Sequence, residues 1–224
     1  MHRSLVLIPA YNEADHIKEI VTGARAHSPV LVVDDGSYDK TASLATAYGA
    51  SLIRQSPNMG KGAALRTGFR WALSARYDTV VTLDADGQHD PAEIPHFLTR
   101  YETTHADLII GARDFSYMPL IRRVSNTIGQ VSFSWALGQP VRDNQSGYRL
   151  ISWRLMERLL ASNESGFEFE VEMIAVCVHQ GFSLDWIPIR TIYTGEKSHI
   201  SPIQHVIGFI RLVLHTRYKA RITK

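Results

Sequence analysis

Short apolar runs that stop at acidic or glycine-containing turns recur through the first half of this chain, and that repetition restricts what it can fold into. The runs lie at 5–8, 30–33, 51–53, 79–83 and 106–110. Each reads as a strand, and the continuous apolar character of Leu5-Val6-Leu7-Ile8 predicts one that is fully buried. Between them, Ile17, Ile20, Val21 and Ala24 fall at helical spacing. Leu44, Ala45 and Ala47 mark a second helix, which Ser37 or Asp39 can cap. A third helix is expected over 60–75, and Pro91 opens a fourth, at a position proline tolerates. Strands alternating with helices up to about residue 112 predict an α/β fold: a doubly wound, mainly parallel sheet flanked by helices. In such a sheet, ligands bind just beyond the carboxyl ends of the strands.

The character changes after Arg113. Residues 115–140 mix aromatics, Arg122 and Arg123 with apolar residues and alternate poorly. A polar loop follows, Asp143-Asn144-Gln145-Ser146-Gly147-Tyr148-Arg149. Residues 166–180 read as a helix bearing Glu168, Glu170 and Glu172. Residues 184–192 read as a strand, and Pro188 places it at a sheet edge. From Pro202 the chain reads as helical. The 224 residues are expected to form one domain: a nucleotide-binding half (1–112), an acceptor half (113–201) and a C-terminal amphipathic helix (202–224).

Charge and cysteine content narrow the function classes. A net charge of +2 is too small to point to nucleic acid as a partner. A lone Cys177 excludes an internal disulfide framework and fits a reducing compartment. No secretory signal and no run of transmembrane length are expected. The chain lacks G-x-G-x-x-G, and around Gly60-Lys61-Gly62 it lacks the residues of a Walker loop. It also has no G-x-S-x-G elbow and no H-E-x-x-H pair.

What remains is a set of acids at strand ends: Glu13, Asp34 with Asp35, and Asp84 with Asp86. In a parallel sheet these share one rim. Asp84, Asp86 and Gln88 supply hard oxygen ligands suited to Mg²⁺ or Mn²⁺, an ion that also bridges to substrate phosphates. Asp34 and Asp35 can accept hydrogen bonds from a base or ribose, and Tyr11 can pack on a base. Lys61, between two glycines, can reach a diphosphate.

These residues carry a family resemblance. Pro9-Ala10-Tyr11-Asn12-Glu13, Val33-Asp34-Asp35-Gly36-Ser37 and Asn58-Met59-Gly60-Lys61-Gly62 resemble the donor motifs of inverting family 2 glycosyltransferases. Asp84-Ala85-Asp86-Gly87-Gln88-His89 resembles their metal-binding D-x-D motif. Within the family the match is to dolichyl- or polyprenyl-phosphate mannose or glucose synthases. It continues in order through the 143–149 loop, Phe167-Glu168-Phe169-Glu170 and Glu196-Lys197-Ser198-His199. The resemblance implies a GT-A fold and a GDP- or UDP-hexose donor. It assigns Pro9, Tyr11, Glu13, Asp34, Asp35, Lys61, Asp84 and Ala85 to the nucleotide sugar, and Asp84, Asp86 and Gln88 to the metal. Arg113, Arg122, Arg123, Ser125, Gln145, Ser146 and Ser198 map to the acceptor. One departure is that Tyr193 stands where an arginine is expected, with Arg190 the nearest substitute.

The acceptor determines what else the site must contain. A phosphate-monoester oxygen is already ionised, whereas a hydroxyl needs a general base. Asp143 is the first candidate for that base, followed by Glu168 or Glu170. Arg113, Arg122 and Arg123 point instead to an anion site. The leading expectation is metal-dependent, inverting transfer of a hexose to polyprenyl phosphate. The alternatives are a saccharide hydroxyl acceptor in cell-surface polysaccharide synthesis and a nucleotide-sugar-binding module without turnover. Ile203, Val206, Ile207, Ile210 and Leu214, with Arg211, Arg217, Lys219, Arg221 and Lys224, form a basic amphipathic pattern. It predicts peripheral contact with the inner face of the membrane from the cytoplasm, with 115–135 as a second contact.

Overall fold

A computed structural model describes residues 2–114, 120–162, 166, 168–190 and 192, and within 120–125 the side chain of 123 alone. Its first strands follow the apolar runs: β1 (Ser4–Ala10), β2 (Val30–Asp34), β3 (Ser51–Arg54), β4 (Thr79–Thr82) and β5 (Leu108–Arg113). The intervening helices are α1 (Ile17–Arg25), α2 (Thr41–Ala47), α3 (Lys61–Ser74) and α4 (Ile94–Thr104). A 3₁₀ turn at Pro91–Glu93 leads into α4, with the Asp90 carboxylate accepting from the Ala92 N–H. The later elements are α5 (Leu120–Leu137), β6 (Arg149–Ser152), α6 (Trp153–Leu159), α7 (Glu168–His179) and β7 (Leu184–Ile189).

The seven strands form one sheet in the order β3-β2-β1-β4-β6-β5-β7. β6 is antiparallel to both its neighbours, and the other pairings are parallel. Strand alternation divides the core. Leu5, Leu7, Leu31 and Val33 face α3, α5, α6 and α7, whereas Val6, Ile8 and Val32 face α1, α2 and α4. Both faces are therefore covered, as continuous apolar strands require. β7 with Pro188 lies at the edge, as expected.

The second half holds elements that the sequence pattern hides. α5 was expected only as a poorly alternating stretch. Phe133, Ala136 and Leu137 are buried, while Ile128, Val131 and Trp135 lie exposed on the same helix. β6 and α6 run Arg149 to Leu159 without a turn between them, and β6 begins with a charged residue that is wholly buried. No strand signal survives there. Ser198, Tyr193 and the basic segment 202–224 lie outside the described residues, as do residues 115–119 of the second expected membrane contact.

Candidate active site

The parallel register brings the ends of β1, β2 and β4 to one rim, with Ala10 opposite Asp34 and Leu7 opposite Thr82. The loops leaving β1 and β2 are laced together. The Asn12 N–H donates to Ser37 Oγ at 2.9 Å, the Tyr38 N–H to Asn12 Oδ1 at 2.9 Å, and the Glu13 N–H to Thr41 Oγ1 at 2.8 Å. Tyr11 is exposed and meets Tyr38 edge-on, with ring centroids 6.3 Å apart. Pro9 stays within β1, opposite Val33.

Asp34 and Asp35 stand at the predicted rim, and the protein itself engages both. Asp34 is fully buried, accepts from the Ser37 N–H at 3.1 Å and pairs with Arg54 Nε at 3.1 Å. Asp35 accepts from the Met59 N–H at 2.8 Å and the Gly60 N–H at 2.7 Å. It thereby ties the loop before α3 to the end of β2. Both carboxylates fix the loops that leave β2 and lead into α3.

Past β4, the Asp84 N–H donates to His89 Nδ1 at 3.0 Å. His89 is buried beside the Tyr148 ring, and burial pushes its pKa down to about 4. A neutral imidazole accepting at Nδ1 carries its proton on Nε2. Ala85 is buried, and Asp86 Oδ1 accepts from the Gln88 N–H at 3.0 Å across Gly87, whose φ is +78°. On its other side, Asp84 meets the backbone of Gly147. A Cβ there would come within 2.6 Å of Asp84 Oδ2, so only glycine permits this approach.

Lys61 was expected near a diphosphate in the first turn of α3. It does open α3, with Nζ 2.5 Å from Asp84 Oδ1 and 3.0 Å from Glu170 Oε1. Burial alone would lower the Lys61 pKa, but the two carboxylates outweigh it and hold it above the ordinary lysine value. Burial likewise opposes ionisation of Asp84, and Lys61 outweighs it, holding the carboxyl down to about 2. Asp84 is therefore ionised at any physiological pH.

The acceptor half faces this group with a second ion pair. Arg113, at the end of β5, donates through Nε to Asp143 Oδ2 at 2.7 Å and through NH2 to Oδ1 at 3.0 Å. The N–H groups of Arg113 and Gln145 also donate to the same carboxylate. Asp143 is wholly buried, and both its oxygens are engaged. In this structure Asp143 anchors Arg113. Glu170 is buried against Lys61. Ser146 departs from its acceptor assignment, being buried with Oγ accepting from the Tyr148 N–H, while Gln145 is exposed. Arg123 is exposed on α5, and the side chains of Arg122 and Ser125 lie outside the described residues.

The residue whose role the sequence left unassigned is Arg149. Fully buried, it donates to the carbonyls of Ser146, Asn144 and Glu170. It joins the 143–149 loop to the start of α7. Its presence in a polar motif was visible, but the sequence gives no sign that it points inward.

Among the described residues, no three His, Cys, Asp or Glu side chains converge as a metal cage. The donors at the end of β4 suit a different arrangement. A Mg²⁺-type ion is commonly held by one or two carboxylates, waters and substrate phosphates. Asp84 and Asp86 are hard oxygen donors on an open rim, and Asp84 already holds a cation in Lys61 Nζ. The residues fit such an ion.

Residues 5–160 match the family model for glycosyl transferase family 2. The chain is 31% identical over 210 residues to a polyprenol monophosphomannose synthase of Mycolicibacterium smegmatis, covering 84% of this chain and 76% of that protein. It is 32% identical over 208 residues to an undecaprenyl-phosphate mannosyltransferase of Micrococcus luteus, covering 85% and 84%. Among solved structures it is similar to glucosyl-3-phosphoglycerate synthase of Mycobacterium tuberculosis in complex with Mn²⁺, UDP-glucose and phosphoglyceric acid. That match has a TM-score of 0.71 at 19% identity and covers 96% of this chain and 78% of that one.

Proposed function

Since this chain belongs to glycosyl transferase family 2 and has the GT-A fold, we propose that it moves a hexose from a GDP- or UDP-sugar to a polyprenyl phosphate, with inversion at the sugar. The observation that carries this reading is the Arg113–Asp143 pair. A fully buried carboxylate grips a partly exposed arginine at the end of β5, close enough to Asp84 to help hold that acid ionised. A preoriented guanidinium beside the rim that would hold the donor is suited to an anionic acceptor. Asp143 and Glu170 are engaged in ion pairs, which leaves Glu168, in the first turn of α7, as the remaining base candidate for a hydroxyl acceptor. A phosphate acceptor needs no such base. Relatives named for polyprenol- and undecaprenyl-phosphate mannose transfer support the same acceptor class.

The donor would lie along the β1, β2 and β4 rim, with Tyr11 and the loops fastened by Asp34 and Asp35 receiving the nucleoside. Asp84, Asp86 and Gln88 would hold Mg²⁺ or Mn²⁺, which supplies Lewis-acid stabilisation of the departing diphosphate. The fold neighbour solved with Mn²⁺ and UDP-glucose supports that assignment. Arg113 orients the acceptor oxygen towards the sugar face opposite the diphosphate. The transition state has oxocarbenium character, as in other glycosyl transfers.

A polyprenyl tail keeps the acceptor in a bilayer, so the site has to reach the membrane. Among the described residues no helix is long and apolar enough to cross one. Ile128, Val131 and Trp135 form an exposed apolar stripe on α5, the helix that follows Arg113. Such a stripe can lie in the interface, consistent with peripheral attachment at the cytoplasmic face. The test is release of nucleoside diphosphate when donor and Mn²⁺ meet short-chain polyprenyl phosphate. Release is expected with the lipid phosphate and not with free saccharides. Turnover only with saccharides would overturn the acceptor assignment, and donor binding without turnover would leave a binding module.

A further inference from the structure

One contact joins the two halves of the site. Lys61 comes from the first turn of α3, Asp84 from the end of β4, and Glu170 from the first turn of α7. The ammonium sits between the two carboxylates at 2.5 and 3.0 Å and is largely shielded from solvent. Glu170 is fixed in turn, because Arg149 grips its backbone carbonyl. The oxygen that Lys61 holds belongs to the carboxylate assigned to the metal. A divalent ion and the ammonium compete for Asp84, since two cations drawn to one carboxylate repel each other.

We propose that Lys61 is the resident counter-ion of the cation site, yielding Asp84 Oδ1 when a divalent ion arrives, and that Glu170 is the positioning residue that retains the displaced ammonium. The inference rests on the metal-dependent reading above and goes beyond it. It gives α7 a role at the cation site. With Glu170 present, the ammonium gives up one carboxylate and keeps another. Without that charge, Lys61 leans more heavily on Asp84, and releasing it costs more. The exchange also leaves a positive charge beside the developing diphosphate.

The test is Mn²⁺ binding to the full-length chain without donor, read from the spin-resonance signal of the free aquo ion, so that no turnover is needed. K61M should bind Mn²⁺ about tenfold more tightly than the wild type, the scale of one lost charge-assisted contact. E170Q should weaken binding several-fold in the wild-type background but change it by less than about twofold in K61M, because its effect runs through Lys61. The double variant K61M/E170Q removes both buried charges and should still bind more tightly than the wild type, which keeps the test open should K61M alone not fold. K61M binding Mn²⁺ no better than the wild type overturns the counter-ion role. Additive effects of the two substitutions overturn the role of Glu170. A chain that takes up no Mn²⁺ even with GDP or UDP present overturns the metal reading itself, an outcome distinct from either.

Discussion

The rim proposed for the donor and the rim proposed for the acceptor both carry carboxylates, but the carboxylates do different work. On the donor side, Asp35 accepts from the backbone of Met59 and Gly60, and Asp34 from that of Ser37. These acids fold loops. On the acceptor side, Asp143 grips the Arg113 side chain and Glu170 holds Lys61. These acids aim cations. The difference teaches where substitutions should act. On the proposed reading, loop-folding acids would set the shape of the nucleoside site, and cation-aiming acids the charge that phosphates would meet. Asp84 and Asp86 lie between the two systems and should be the most sensitive of all.

The largest effect is expected there. Asp86→Ala should lower kcat by about 10³-fold with the melting temperature nearly unchanged, because it removes a cation ligand whose benefit falls mainly in the transition state. Steady-state rates with Mn²⁺, set beside thermal melts, check this. Full activity in EDTA would remove the distinction between the central acids and their neighbours.

The next effect sharpens the contrast between shaping and aiming. Arg113→Ala should raise the KM for polyprenyl phosphate by about tenfold to a hundredfold and leave the donor KM alone, as loss of one charge-assisted phosphate contact does. It also strands a buried carboxylate, at a cost of about 3–5 kcal/mol of stability. Asp143→Asn should raise the same KM through a loosened Arg113. A drop in kcat of about 10²–10⁴ with the lipid KM unchanged would instead mark Asp143 as a base.

Gly147 tests whether the acceptor loop really limits the donor rim. In Gly147→Ala the new Cβ would press on Asp84 Oδ2. The expected costs are about 1–3 kcal/mol of stability and weaker Mn²⁺ binding, by calorimetry. Wild-type behaviour would mean that the loop and β4 are independent.

How much of this was legible in the sequence also differs between the halves. Short apolar runs gave away β1 to β5, and the acidic motifs lie where β1, β2 and β4 end. The acceptor half concealed more. Arg149 reads as a polar loop residue but is the buried centre that binds the carbonyls of Ser146, Asn144 and Glu170. Asp143 reads as a free acid because pattern alone cannot show that Arg113, far away in sequence, folds onto it. α5 reads only as a poorly alternating stretch because exposed Ile128, Val131 and Trp135 mix apolar residues into its outer face. The buried role of Lys61 was invisible for the same reason as Asp143: its partners come from two other elements.

A smaller effect concerns pH. His89 has its pKa lowered from 6.5 to about 4, so the unfolded chain takes up this proton first as the pH falls. Stability therefore drops between about pH 6.5 and 4, by at most about 3 kcal/mol from this group, and is unaffected by it above that window. His89→Asn keeps an acceptor for the Asp84 N–H without titrating there. Denaturant melts in EDTA should show a flatter pH dependence for this variant. The smallest change should come from the α5 stripe. Replacing Ile128, Val131 and Trp135 by serine should weaken binding to anionic vesicles while leaving turnover of a water-soluble short-chain lipid phosphate nearly unchanged. Equal vesicle binding would place the membrane contact elsewhere.

The account stands or falls on where the sugar goes. Purified full-length protein, Mn²⁺ and a panel of radiolabelled GDP- and UDP-hexoses should be incubated with polyprenyl phosphate and, separately, with soluble saccharides. The account predicts that one donor labels the organic phase, as a mild-acid-labile glycosyl phosphate of inverted anomeric configuration, and that the labelling is lost in EDTA. Label that stays out of the lipid phase while appearing on a saccharide would contradict it.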